Sequence, residues 1–548
     1  MTTADLIALS DDIEEWARVA AFRSSDDIPR LRRRPGWLPD FTPASVDARR
    51  ADVARFRARL DAAASRLDDE DVAAQVDARL LASVLDRAEW DLDVLRNWER
   101  DAVFLVGQIL GPWFDLLLPL PPYSAEVESG LVAVAASIPA RVELARDNLS
   151  RAGVEDLARV AAIELHDIDS RFAASVAGIA GLVSEATLDE LRALAPAAGA
   201  ALAGFGAWLE SSAPGFAPSA PVGRERFVWF LRHVALVAEE PEELVRAALQ
   251  DYRRAVLAEV VTRNRFRDAP ADALAETIDA QVARQVAQEA EVRAFSDREG
   301  ILSQPDTLRR YHVAEMPPRI EPLRFLGVPD DLTDQDRLDV DGVSYMPRPR
   351  PDLPYFYAAN ARDPRLGIIH EGAHYKQLAL SWANPDPVRR RYVDSVANEG
   401  IAFYNEELML LAGLFDDAPH SQEVVHNFNR LRSLRVVVDI NLATGAFTLD
   451  EAVDFFVSLV PMDVETAREE CAMYLATPGL AMSYHVGKQQ LLRLVTDAVV
   501  AQGDDFSLRA LHDRVWANGN VPFSLQRWEI LGDRGDLDRI DRSDVSPL

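Results

Sequence analysis

The chain has 548 residues, 48% of them hydrophobic, which is enough to bury a large core in more than one subdomain of an ordinary globular protein. A formal net charge of -30 speaks against a nucleic-acid partner, whose phosphates it would repel, and against binding to anionic membrane surfaces. The single cysteine, Cys471, excludes an intramolecular disulfide, and the charge-broken N-terminus MTTADLIALSDDIEEWARVAAF is unlike an export signal, so a reducing, cytoplasmic setting is expected.

Residues 1–295 read as an N-terminal helical lobe. In SVDARRADVARFRARLDAAASRL apolar residues recur every three to four positions, and Thr42-Pro43 and Glu240-Pro241 mark helix starts. The most apolar stretch, FLVGQILGPWFDLLLPLPPY from Phe104 to Tyr123, is cut by Gly107, Gly111, Pro112, Asp115 and Pro119, so it reads as buried core rather than a membrane span. Residues 296–365 turn proline-rich and predict loops with short strands at Val343 to Met346 and Tyr355 to Asn360. Prolines on both sides give the second the character of an edge strand, able to pair with an extended peptide and to offer Tyr357 and Asn360 to it. Residues 366–548 return to helix and form the expected catalytic lobe. The predicted fold is therefore mainly α, two helical lobes around a cleft with a small β element beside the site.

The catalytic lobe opens with GIIHEGAHYKQ, an H-E-x-x-H in which His370 and His374 are one helical turn apart and can hold one Zn²⁺ from the same face. Glu371 lies between them as a candidate general base. Zinc of this kind takes three protein ligands, and Glu399, 25 positions after His374, is placed to supply the third after the first helix ends near Trp382 and a second returns. Tyr404 and Glu406 follow on that second helix and can line the same cleft. Arg435 and Asp439, one turn apart on the apolar LRVVVDINL, suit either a buried ion pair or a role behind a zinc-bound histidine, with Asp439 as the orienting carboxylate. The only lysines, Lys376 and Lys488, fall in these chemical segments, as does Gln377, and all three are candidate substrate contacts. Tyr484 and His485 precede Gly487, where a close backbone approach is allowed. The other histidines, His512 among them, have no ligand-like partner at helical spacing.

Four segments in order, HEGAHYKQ, NEGIAFYNEEL, RLRSLRVVVDINLATGAFTLDEAVDFF and YLATPGLAMSYHVGKQQLLRL, resemble the successive motifs of the bacterial family called domain of unknown function 885 (DUF885), over about Ile369 to Asp497 and more loosely from Pro317. The resemblance implies a zincin-like fold around a deep channel, related in architecture to the thermostable carboxypeptidases and the angiotensin-converting-enzyme type of peptidase. It also implies zinc on the H-E-x-x-H helix, Glu399 as a ligand, and Tyr484, or His485 in its place, as donor to the oxyanion. The chain departs from the family pattern in its compact H-E-G-A-H, in Ile401 where a tryptophan is usual and near Ala443 where a histidine is usual, which implies an altered substrate pocket. The expected function is a zinc hydrolase that cleaves short peptides, carboxypeptidase- or dipeptidase-like, through a water activated by Glu371. A zinc enzyme acting on a small non-peptide metabolite and a catalytically inactive peptide-binding protein are the alternatives.

Overall fold

The structure is a computed structural model of the chain and describes residues 2–24, 31–218, 221–270, 272–332 and 334–542. Helices dominate it, and residues that satisfy free backbone N–H groups begin them. The Thr42 hydroxyl accepts from the Ser45 N–H at 3.3 Å to start Pro43–Ala64, and reciprocal capping boxes start Pro241–Arg265 and Leu449–Leu459. The apolar stretch near residue 104 becomes the helix Ala102–Leu117, which buries Ile109, Leu110, Trp113 and Phe114 completely. Each such side chain contributes about 1.5–3 kcal/mol when fully removed from water. Among the described residues no helix is long and apolar enough to cross a membrane. The largest apolar cluster joins these N-terminal helices to Val521, Leu525 and Trp528, so the C-terminal helices fold back against the N-terminal part.

The β element is a three-stranded sheet of β1 (Tyr311–Glu315), β2 (Asp330–Asp331) and β3 (Gly342–Met346) in the order β1-β3-β2. β3 is the expected strand; β1 runs parallel to it with Tyr311 opposite Gly342, and β2 runs antiparallel with Asp330 opposite Ser344. The expected strand at Tyr355 to Asn360 is instead part of a helix, Tyr355–Arg362. Pro354 sits at its N-cap, where a missing N–H costs nothing, and its carbonyl accepts from Ala358 N–H at 2.8 Å. Ala358, Ala359 and Ala361 then favour the helix, so the proline begins an element rather than flanking an edge.

Four helices position the site. The motif helix, Arg365–Trp382, ends where expected. The stretch after it, read as one helix, divides into Pro387–Arg391 and the glutamate helix, Ser395–Leu411. The extended backbone of Tyr392 ends the first segment, and the Asp394 carboxylate accepts from Val396 N–H at 2.9 Å and Ala397 N–H at 3.4 Å to start the second. The arginine helix is Pro419–Thr444 and the tyrosine helix Leu480–Gln502. The glutamate and tyrosine helices cross at Gly400 and Gly487, where a Cβ on Gly487 would lie 1.9 Å from the Val396 carbonyl oxygen, so only glycine permits the contact. The sheet lies beside the motif helix, with Tyr311 stacked on Tyr375 at 6.0 Å.

Candidate metal centre

His370 and His374 share a face of the motif helix, their rings 4.9 Å apart and nearly perpendicular. Glu399 reaches them from the glutamate helix. Its Oε2 lies 3.6 Å from His370 Nε2 and 3.4 Å from His374 Nε2, and one ligand atom from each residue falls within 4.8 Å of the others. Zinc ligands at about 2.0–2.2 Å from a tetrahedral centre lie about 3.3–3.6 Å from one another, so both separations fit one ion. All three residues are buried, yet neither Glu399 oxygen nor His374 Nδ1 has a hydrogen-bond partner among the described residues. A buried carboxylate in that condition is costly without a cation to satisfy it, and a cation held by two imidazoles and a carboxylate is what this donor set accepts.

The electrostatics agree. Burial opposes the charge on Glu399, but the imidazoles of His374 and His370 hold its carboxyl well below the usual range. Burial and the Arg432 guanidinium oppose a charge on His370, yet Glu399 and Glu406 prevail and push it up to about 9. The cluster of acidic oxygens thus calls for positive charge at this point.

Outer partners orient the three candidate ligands. His370 Nδ1 lies 2.7 Å from Glu406 Oε1, and Glu406 is held by Arg432 at 2.9 and 3.2 Å. With Nδ1 turned to Glu406, Nε2 is the nitrogen that faces Glu399. Arg432 was not among the candidates read from the sequence; its signal was another arginine three positions before Arg435 on the same helix. The Tyr484 ring stacks on His370 with planes 8° apart and centroids 6.1 Å apart. The Arg435 guanidinium sits 4.6 Å from the centre of that ring and is locked onto Glu470 by bonds of 2.7 to 3.0 Å. Glu371 is partly exposed and has no hydrogen bond or ion pair to another described residue. Its charge is felt by Tyr311 and by Tyr357, whose phenol burial pushes up to about 12.

The other candidates stand apart from the ligands. Asp439 neither pairs with Arg435 nor backs a histidine: its oxygens accept from Gly479 N–H at 2.9 Å and Met482 N–H at 2.8 Å and cap the tyrosine helix, while Glu406 is the carboxylate that lies against His370. His485 Nε2 lies 3.0 Å from Asp251 Oδ2, and burial keeps its pKa low. The Tyr404 hydroxyl meets His512 Nε2 at 3.0 Å, and Gln377 donates to the Gly519 carbonyl at 2.8 Å. Lys376 is buried beside Arg293 and Glu289, and burial pushes it down to about 8. Lys488 pairs with Glu407 at 2.5 Å, and Asn360 packs against Gly367.

Residues 31–530 match the model of a family described as bacterial protein of unknown function (DUF885). The fold is similar to that of a candidate lipoprotein of unknown function from Shewanella oneidensis, with 16% identity over 97% of this chain and 100% of that one and a TM-score of 0.70. It is also similar to a candidate lipoprotein from Colwellia psychrerythraea, with 15% identity over 99% of each chain and a TM-score of 0.74. At these identities the likeness concerns the fold alone. No curated protein matches the chain.

Proposed function

The chain belongs to the DUF885 family of bacterial proteins, and from its buried His370, His374 and Glu399 we propose that it is a zinc-dependent hydrolase of short peptides. The observation that carries this reading is the Glu399 carboxylate, fully buried, with neither oxygen hydrogen-bonded among the described residues and one of them 3.4 and 3.6 Å from two imidazole nitrogens. When bound by these three residues, zinc supplies a Lewis acid that polarises a carbonyl and lowers the pKa of water. Glu371, one residue from His370 and engaged by no hydrogen bond or ion pair among the described residues, accepts the proton of the attacking water and delivers it to the leaving amine. The Tyr484 hydroxyl, on a ring held between His370 and Arg435, donates to the oxygen on which negative charge develops. Glu406 and Arg432 keep His370 in the tautomer and orientation that bind metal.

The cytoplasmic setting belongs to the same reading: Cys471 is buried in the helix Val464–Ala476 and burial pushes its thiol up, which suits an inert side chain. The candidate-lipoprotein descriptions of the two structural relatives supply the competing setting, and cell fractionation separates the two. The function is tested by metal analysis of the purified protein together with a peptide-library screen. One zinc per chain and cleavage that a chelator abolishes are expected; a metal-free protein that cleaves as well, or a zinc-loaded protein that cleaves no peptide, overturns the reading.

A further inference from the structure

A cavity of about 310 Å³ begins where the glutamate and tyrosine helices begin, lined by Asp394 to Val396 on one and Gly479 and Leu480 on the other. Ser395 and Glu399 are spaced i, i+4, as are Leu480 and Tyr484, so on each helix a cavity residue and a residue of the metal centre share a face about 6 Å apart along the axis. Much of the remaining wall is aromatic, including Trp90, Trp98, Phe104 and Phe230. The volume is that of a small ligand pocket.

The polar groups of this cavity are nearly all engaged. Asp394 covers the N–H groups of the glutamate helix and Asp439 those of the tyrosine helix, so neither helix start is left to hold an anion. Arg23 is bound to Asp115 at 2.9 Å, Arg49 donates to the Asp40 carbonyl at 2.7 Å, and Arg87 meets Asp394 at 3.2 Å. Asp91 is the exception. It lines the cavity, its surface is exposed, and it makes no side-chain hydrogen bond or ion pair to another described residue. Desolvation by the surrounding protein raises its carboxyl to about 6, with the charge of Arg87 opposing. A lone carboxylate among aromatic faces suits a cation that carries apolar bulk, since the ring faces attract the charge and the carboxylate fixes it.

We propose that this cavity is a binding pocket for an aromatic-sized apolar group bearing a positive charge, with Asp91 as its counter-ion, and that the substrate of the metal centre presents such a group. The second half rests on the zinc-hydrolase reading; the first does not.

The test is calorimetric binding of tryptamine, its neutral analogue tryptophol and the anion indole-3-acetate to the full chain, with and without chelator. Tryptamine is expected to bind more tightly than tryptophol by about tenfold or more, the size of one charged hydrogen bond in an enclosed site. Indole-3-acetate should bind most weakly, and chelation should not change the order. Asp91→Asn should bring tryptamine and tryptophol to parity without lowering the melting temperature, because the carboxylate it removes makes no hydrogen bond or ion pair to another described residue. Ala88→Phe, which fills the cavity from a partly exposed position on its wall, should abolish both. No tryptamine binding, equal binding of amine and alcohol by the unaltered protein, or a preference that survives Asp91→Asn overturns the pocket. Tryptamine should also inhibit peptide cleavage competitively; binding that leaves cleavage untouched overturns the substrate half alone, and a protein without zinc or cleavage that still prefers the amine refutes the hydrolase reading and upholds the pocket.

Discussion

Two acidic side chains on neighbouring helices, Glu399 and Asp439, are both fully buried and have opposite surroundings. Asp439 has two backbone N–H groups on its two oxygens, Gly479 at 2.9 Å and Met482 at 2.8 Å, and its work is to start the tyrosine helix. Glu399 has no hydrogen bond on either oxygen among the described residues and two imidazole nitrogens close by. Asp439 is raised to about 7 by burial that its backbone bonds only partly offset, whereas the imidazoles hold Glu399 far below the usual range despite burial. Burial alone therefore does not mark a functional carboxylate. The mark is a buried acid whose partners are ligand-type nitrogens rather than the protein's own backbone, with oxygens left over for something else.

The largest effects test Glu399. Glu399→Gln is expected to take zinc from one per chain to near zero and cleavage to background, while Asp439→Asn keeps its zinc; mass-spectrometric metal counts on both variants decide, and full zinc in Glu399→Gln would erase the distinction drawn between them. Glu371→Gln is expected to lower kcat by about 10²–10⁴-fold with zinc retained, as for loss of a general base. Unchanged turnover in that variant removes Glu371 from the mechanism. Smaller again is Glu406→Gln, for which chelator competition should show metal affinity weakened by about 10–100-fold, the usual size for a carboxylate that orients a ligating histidine. His374 Nδ1 has no hydrogen-bond partner among the described residues, so the loss at Glu406 falls on His370 alone.

That His370, His374 and Glu399 come together was legible because helical periodicity fixes which side chains share a face, and because the 25 residues from His374 to Glu399 contain a turn and room for a returning helix. Gly487 was legible for a similar reason: a glycine on a helix face otherwise fit for packing marks close contact, and a Cβ there would meet the Val396 carbonyl. What lay beyond reach depends on groups distant in sequence. Nothing in LRSLRVVVDINL shows that Arg432 holds Glu406 or that Asp439 caps the tyrosine helix, since the N–H groups that claim Asp439 come forty and more residues later. The stretch Tyr355 to Asn360 fails differently, because proline before a short aromatic run is compatible with an edge strand and with a helix start, and local alanines decide. Asp91 stands in an ordinary amphipathic pattern, and only the cavity distinguishes it.

The smallest effect concerns the pH dependence of Asp439. With a folded value of about 7 against an ordinary 3.8, the folded protein holds this proton more tightly than the unfolded chain. The stability that the group contributes is therefore fully present below about pH 4, declines as pH rises towards about 7 and is flat above that. Asn cannot titrate and leaves one backbone N–H of the cap without an acceptor, so Asp439→Asn should cost about 1–3 kcal/mol at pH 5. As the pH rises to 8 the unaltered protein loses stability at this position and the variant does not, so the difference between them should shrink. Urea unfolding of both proteins at pH 5 and pH 8 measures it. A difference that stays constant or widens would mean that Asp439 is ionised throughout, held charged by the helix start as Glu399 is by its imidazoles, and the contrast between the two acids would then lie in their partners alone.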